Sequence, residues 1–148
     1  MKRRRRAREL TLQMLYAWEV SGNALELVLE ELTKNQDEEK GIIIFSADLL
    51  KKTAEHKETL DRDVASVVEN WEFARIALID RLILRMALCE LLYFDEIPPK
   101  VTINEAIELA KEYSTSQSGR FVNGILDSLY QKFKSERKIV KRGRGLVE

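Results

Sequence analysis

Six of the first eight residues of "MKRRRRAREL" are basic. Guanidinium groups at that density have one evident chemistry: they pair bidentately with phosphate oxygens and release condensed counterions from a nucleic acid. Residues suited to covalent chemistry are scarce by comparison. General-base and nucleophile chemistry usually draws on histidine, and the chain has one, His56, between Glu55 and Lys57 in a helical turn expected at the surface. Cys89, the single cysteine, lies in the most apolar stretch and reads as a small core residue rather than a thiolate. Asp61 with Asp63, and Glu38 with Glu39, read as ordinary surface pairs, and no His, Cys and carboxylate spacing suggests metal ligation. Gly119 and Gly124 sit five apart without the Lys-Ser/Thr of a phosphate loop. No catalytic residue, metal ligand or cofactor is expected, and the chain does not read as an enzyme.

Two places look built for binding. On a helical wheel Arg5, Arg8, Leu12 and Tyr16 fall along one edge of the first helix, and Arg6, Glu9, Gln13 and Tyr16 along the next. Tyr16 could stack on an unpaired base or cap the core from a half-buried position, and spacing alone leaves both open. In "SQSGRFVNGIL", Gly119, Arg120, Asn123 and Gly124 open the last helix, where stronger helix formers would normally serve. A helix N-terminus attracts phosphate and Arg120 adds charge, while Gly124 reads rather as a tight helix contact.

The elements that must position these residues are helical. Two prolines and six glycines in 148 residues leave little for sandwich or barrel turns. Apolar residues recur at helical spacing in "ARELTLQMLYAWEV", "ALELVLEEL", "IIIFSADLLKKTAEHKETL" and "LDRDVASVVENW". "RIALIDRLILRMALCELLYF" is apolar around most of its circumference and belongs at the centre of a bundle, with Asp80, Arg81 and Arg85 marking where it meets water or a partner. Pro98 and Pro99 end that helix, Thr102 and Glu105 form a capping box for the next, and Phe121 to Phe133 define the last. About seven helices in an all-α domain over residues 1–134 are expected, followed by a basic, frayed tail over 135–148.

Formal neutrality hides a separation of charge. Residues 1–8 carry six positive charges, residues 132–148 a net of plus five, and residues 9–131 a net of minus eleven. A nucleic-acid-binding edge on an acidic body fits this pattern, and so does a protein-interaction module whose basic ends serve solubility. The single cysteine, and the absence of a continuously apolar leader or of about 18 uninterrupted apolar residues, favour a cytoplasmic protein with no membrane partner.

"RRRARELTLQMLYAWE", "LILRMALCEL" and above all "KVTINEAIELAKEYSTSQSGRFVNGILDSL" resemble the NusB family of bacterial transcription antitermination factors, from about Arg3 to Leu129. The resemblance implies a seven-helix fold in two small helical subdomains without enzymatic activity. It also implies a boxA-type single-stranded RNA ligand from ribosomal RNA leaders, bound with NusE (ribosomal protein S-ten) inside an RNA polymerase antitermination complex. RNA contacts would fall to Arg4, Arg5, Arg6, Arg8, Tyr16, Gln117, Arg120, Phe121 and Asn123, and NusE contacts to Glu72, Arg75, Asp80 and Arg81. Some members self-associate, which leaves a homodimer open. Ser114 stands where members often carry glycine, and Gln117 where they often carry an acid.

Overall fold

The computed structural model describes residues 2–34, 37–68 and 73–146. Among them are seven α-helices and no strand: α1 (Lys2–Ser21), α2 (Leu25–Lys34), α3 (Lys40–Glu55), α4 (Lys57–Val67), α5 (Leu78–Tyr93), α6 (Pro99–Tyr113) and α7 (Ser118–Ser135). Short 3-10 turns follow at Phe73–Arg75 and Gly143–Leu146. The chain divides into two compact units, Met1–Glu55 and His56–Glu148. No helix among the described residues is long and apolar enough to cross a membrane.

The first unit packs α1 on α3, with α2 against both. The expected stripe of α1 is its core face: Ala7, Leu10, Met14 and Leu15 are buried, and they meet a core that includes Phe45, Leu49 and Leu50 of α3. The two helices approach closely where their residues are small. The Thr11 hydroxyl lies 2.9 Å from the Ala7 carbonyl of its own helix and 3.3 Å from the Ser46 carbonyl of α3, which removes the cost of burying it. Polar burial is thereby made compatible with the contact.

The second unit is built around α5, which contacts α4, α6 and α7. Every residue from Leu82 to Leu91 is buried, as expected for a helix apolar around its circumference. Arg85 departs from the expectation that it meets water or a partner, being only 2% exposed. Its Nε and Nη2 reach Asp61 Oδ1 and Oδ2 of α4 at 2.7 and 2.9 Å, so a bidentate carboxylate takes the place of solvent. Cys89 is buried in the same core, as read from the sequence.

Three local readings are corrected. The third apolar run is not one helix, because α3 stops at Glu55 and α4 starts at Lys57 without a proline or glycine between them. His56, at the break, is not a plain surface residue: its ring stacks on Tyr93 at 4.2 Å and 12°. Thr102 and Glu105 form no capping box, since α6 already begins at Pro99. Proline suits the first helical turn, where its missing N–H would be unpaired anyway. Thr102 instead donates to the buried Glu90 carboxylate of α5 at 2.9 Å.

The chain beyond α7, where fraying was expected, folds back onto the end of α5. Lys141 Nζ donates to the carbonyls of Phe94 and Glu90 at 2.8 and 3.2 Å, and the Arg142 amide donates to the Asp95 carbonyl at 3.0 Å. A lysine ammonium is well placed there because it complements the carbonyls and negative dipole end of a helix. Gly145 is buried so closely on Asp95 that any Cβ would collide with its carbonyl oxygen.

Candidate nucleic-acid and partner interface

On α1 the arginines differ sharply in what holds them. Arg4 and Arg5 are exposed, and the Arg4 guanidinium lies 4.0 Å from the centroid of the Phe45 ring. Stacking on an aromatic face fixes the guanidinium plane while leaving its N–H donors directed outward. Arg6 is bound inside its own unit: Nε lies 2.6 Å from Glu38 Oε1, and Nη1 lies 3.5 Å from Glu9 Oε1. The hydrogen bond to Glu38 pushes the Arg6 guanidinium above its ordinary range. Arg3 makes an exposed pair with Glu39 at 2.9 Å. Arg8, expected among the exposed contacts, is only 3% exposed, with its guanidinium 5.7 Å from the Phe45 ring. Tyr16 is 44% exposed, which leaves part of its ring open to a stacking base.

The start of α7 is organised by hydroxyls. Ser118 N lies 3.2 Å from Thr115 Oγ1 and Thr115 N lies 3.3 Å from Ser118 Oγ, a reciprocal pairing of the capping-box kind. Ser118 Oγ also donates to Asp80 Oδ2 of α5 at 3.0 Å, tying the two helix starts together. A recess of about 270 Å³ lies beside this knot, lined by residues that include Arg75, Asp80, Gln117 and Phe121. Asp80 is 93% buried, and its Oδ1 has no hydrogen-bond partner among the described residues. Arg81 Nε is likewise unpartnered, and its guanidinium lies 5.7 Å from the Phe73 ring.

Arg120 and Asn123 are exposed on α7, and Phe121 is half-buried. Gly124 is exposed with open space around the position of a Cβ, so no tight packing explains it. The close contact is at Gly119, where a Cβ would stand 3.2 Å from Lys111 Cγ of α6. Glu72 lies outside the described residues. Among the described residues no cluster of three His, Cys, Asp or Glu groups could hold a metal ion.

The NusB family profile matches residues 5–131, which include three of the six basic residues that open α1, Arg5, Arg6 and Arg8, and the whole start of α7. The chain belongs to the NusB family. It is 42% identical over 148 residues to "Transcription antitermination protein NusB" of Chloroherpeton thalassium (strain ATCC 35110 / GB-78), covering 98% of this chain and 69% of that one. Its fold matches NusB of T. maritima with a TM-score of 0.82 at 36% identity, over 91% of this chain and 95% of that one. It also matches, at 23% identity and a TM-score of 0.81, a structure of the antitermination factors NusB and NusE in complex with dsRNA, covering 89% of this chain and 98% of that one.

Set on the structure, the NusB-derived residues form two groups. Arg4, Arg5 and Tyr16 are exposed on one helix of the first unit. In the second unit, Gln117 and Phe121 of the expected RNA set share one recess with Arg75 and Asp80 of the expected partner set. Sequence reasoning missed Phe45 beneath Arg4 and the hydroxyl knot at Ser118. The Thr115-x-x-Ser118 spacing was a signal for the second; nothing local signals the first.

Proposed function

We propose that this chain acts as a transcription antitermination factor that binds boxA-type single-stranded RNA of ribosomal RNA leaders together with NusE. It works in the cytoplasm, within an RNA polymerase antitermination complex, by binding rather than by catalysis. The observation that carries the reading is the exposed, ring-stacked Arg4 next to exposed Arg5, with Tyr16 exposed further along the same helix, in a chain closely similar over its length to an antitermination protein. Arg4, Arg5 and Arg120 supply phosphate contacts, and Tyr16 and Phe121 supply faces on which unpaired bases stack. Arg8 acts from its buried position by holding Phe45 and the arginine turn in place. Arg6 joins the RNA only when it leaves Glu38. Gln117, with its amide, and Asn123 complete the RNA surface at α7. Asp80, with an unpartnered carboxylate oxygen, takes a donor from the protein partner beside Arg75 and Arg81, and Glu72 belongs to that partner set by sequence.

The test is binding of a short boxA-like RNA, a scrambled RNA and a duplex of the same sequence, with and without NusE. Three phosphate contacts predict a log–log salt slope near −2 for single strands, hence about 20-fold weaker binding at 200 than at 50 mM salt. Preference for the boxA strand that strengthens with NusE supports the reading. Equal, weak binding to all three RNAs refutes it. NusE binding without any RNA preference would favour a protein-interaction module whose basic ends serve solubility.

A further inference from the structure

The folded-back segment after α7 creates a second recess in the second unit, of about 560 Å³, lined neither by α1 nor by the start of α7. Its walls are the first turns of α6, the C-terminal half of α7 and residues Ile139 to Leu146. That volume lies within the range of about 300–1,000 Å³ typical of small-molecule sites. Lys100, Lys134 and Lys141 line it against the single carboxylate of Asp127, and Asn104, Gln131 and Tyr130 supply amides and a half-buried ring. Lys100 and Lys134 are exposed and have no carboxylate partner among the described residues; the Lys134 ammonium lies 5.5 Å from the Tyr130 ring centroid.

The wall is held in place by specific contacts rather than draped over the surface. Lys141 is bonded to two carbonyls of α5, Arg142 N to Asp95, and Gly145 occupies a site with no room for a side chain. The segment that supplies this wall is strongly basic, with Arg137, Lys138, Arg142 and Arg144 besides Lys141, of which Lys138 pairs with Glu136 and Arg142 with Asp95. Lysines around an aromatic face and two side-chain amides match the parts of a nucleotide: phosphates for the ammonium groups, a base for the ring and amides.

We infer that this recess is a second nucleotide site, which seats a single-stranded RNA segment flanking the one held at α1 and the start of α7. The inference rests on the reading of the chain as a single-stranded RNA binder. From Ser118 to Tyr130 the two sites of the second unit are separated by about 18 Å along α7, at 1.5 Å per helical residue. Flanking nucleotides, not the boxA core itself, therefore reach the recess. Its contribution is electrostatic and stacking, with affinity gained from linkage to the first site.

The experiment compares a core boxA RNA with RNAs extended by several nucleotides on either side, using the wild-type chain, K100E/K134E and G145A. Ultraviolet crosslinking of the extended RNAs, mapped by mass spectrometry, reads the contact directly. The expected result is roughly tenfold tighter binding of one extended RNA to wild type, with a salt slope steeper by about 1.4 for two added phosphates. A crosslink at Tyr130 accompanies it. K100E/K134E loses the gain, the added slope and the crosslink while binding the core RNA as before, and G145A, which cannot seat the wall, loses the crosslink too. Circular dichroism and thermal melting confirm that both variants are folded. Core binding with no gain on extension and no crosslink at Tyr130 overturns the second site but leaves the proposed function standing. A Tyr130 crosslink without preference for the boxA core upholds the site and overturns the boxA reading. No binding of any RNA overturns both.

Discussion

Replacing Glu38 by Gln tests whether the acidic residues before α3 restrain the arginines of α1. The Arg6–Glu38 pair is short, 2.6 Å, with 31% of the arginine and 15% of the glutamate side chain exposed. Fully exposed pairs contribute about 0.2–1 kcal/mol, and removing one partner of a buried pair costs about 3–5 kcal/mol. This pair stands near the upper end of the exposed class, at about 1 kcal/mol, because Glu9 remains 3.5 Å from Arg6 to take part of its charge. An RNA that recruits Arg6 must first break the pair, so its loss from the free protein returns as affinity, roughly fivefold at 1.4 kcal/mol per decade. One more phosphate contact also steepens the log–log salt slope by about 0.7. Fluorescence anisotropy with a boxA-like RNA between 50 and 200 mM salt reads affinity and slope, and urea unfolding reads the accompanying loss of about 1 kcal/mol in stability. Lost stability with unchanged RNA affinity would refute the idea that Arg6 turns from Glu38 to phosphate. No change in either would show that the pair carries no energy.

Other substitutions probe separate parts of the structure. Asp61→Asn strips the carboxylate from buried Arg85 and should cost about 2–3 kcal/mol in urea unfolding, the partner being partly exposed, while Asp61→Leu with Arg85→Met recovers most of it. A cost below about 1 kcal/mol for Asp61→Asn would mean that water replaces the partner. Burial holds the Lys141 ammonium below the ordinary lysine range, so between its folded and unfolded values the unfolded chain binds more protons and stability rises with pH. As pH climbs toward about 10.4, the unfolded lysine value, wild type should therefore gain stability relative to Lys141→Met, and a difference independent of pH would contradict this. Gln117→Asp places a negative charge beside the RNA surface at α7. At about 1 kcal/mol for like charges 4 Å apart in water, RNA binding should weaken roughly fivefold, and an unchanged dissociation constant would remove Gln117 from that surface.

The sequence by itself determined the helices, because apolar residues at a period of 3.6 can be buried only on one stripe or, as in α5, all round. It also determined the chemistry on offer: arginines and aromatics suit phosphates and bases, and a single histidine and a single cysteine offer little for catalysis. It did not determine which charges are free. Arg4, Arg6 and Arg8 are alike in sequence, yet one stacks on Phe45, one is held by Glu38 across 32 residues and one is buried. Arg85 looked like a solvent mark until Asp61, 24 residues away, supplied its carboxylate. Only the tertiary structure decides such pairings, since an ion pair depends on distance in space and on shared desolvation, neither of which is local in the chain. The segment after α7 makes the same point: its composition predicts fraying, and its order comes from Lys141 bonding to carbonyls at the end of α5 and from a gap that only Gly145 fills.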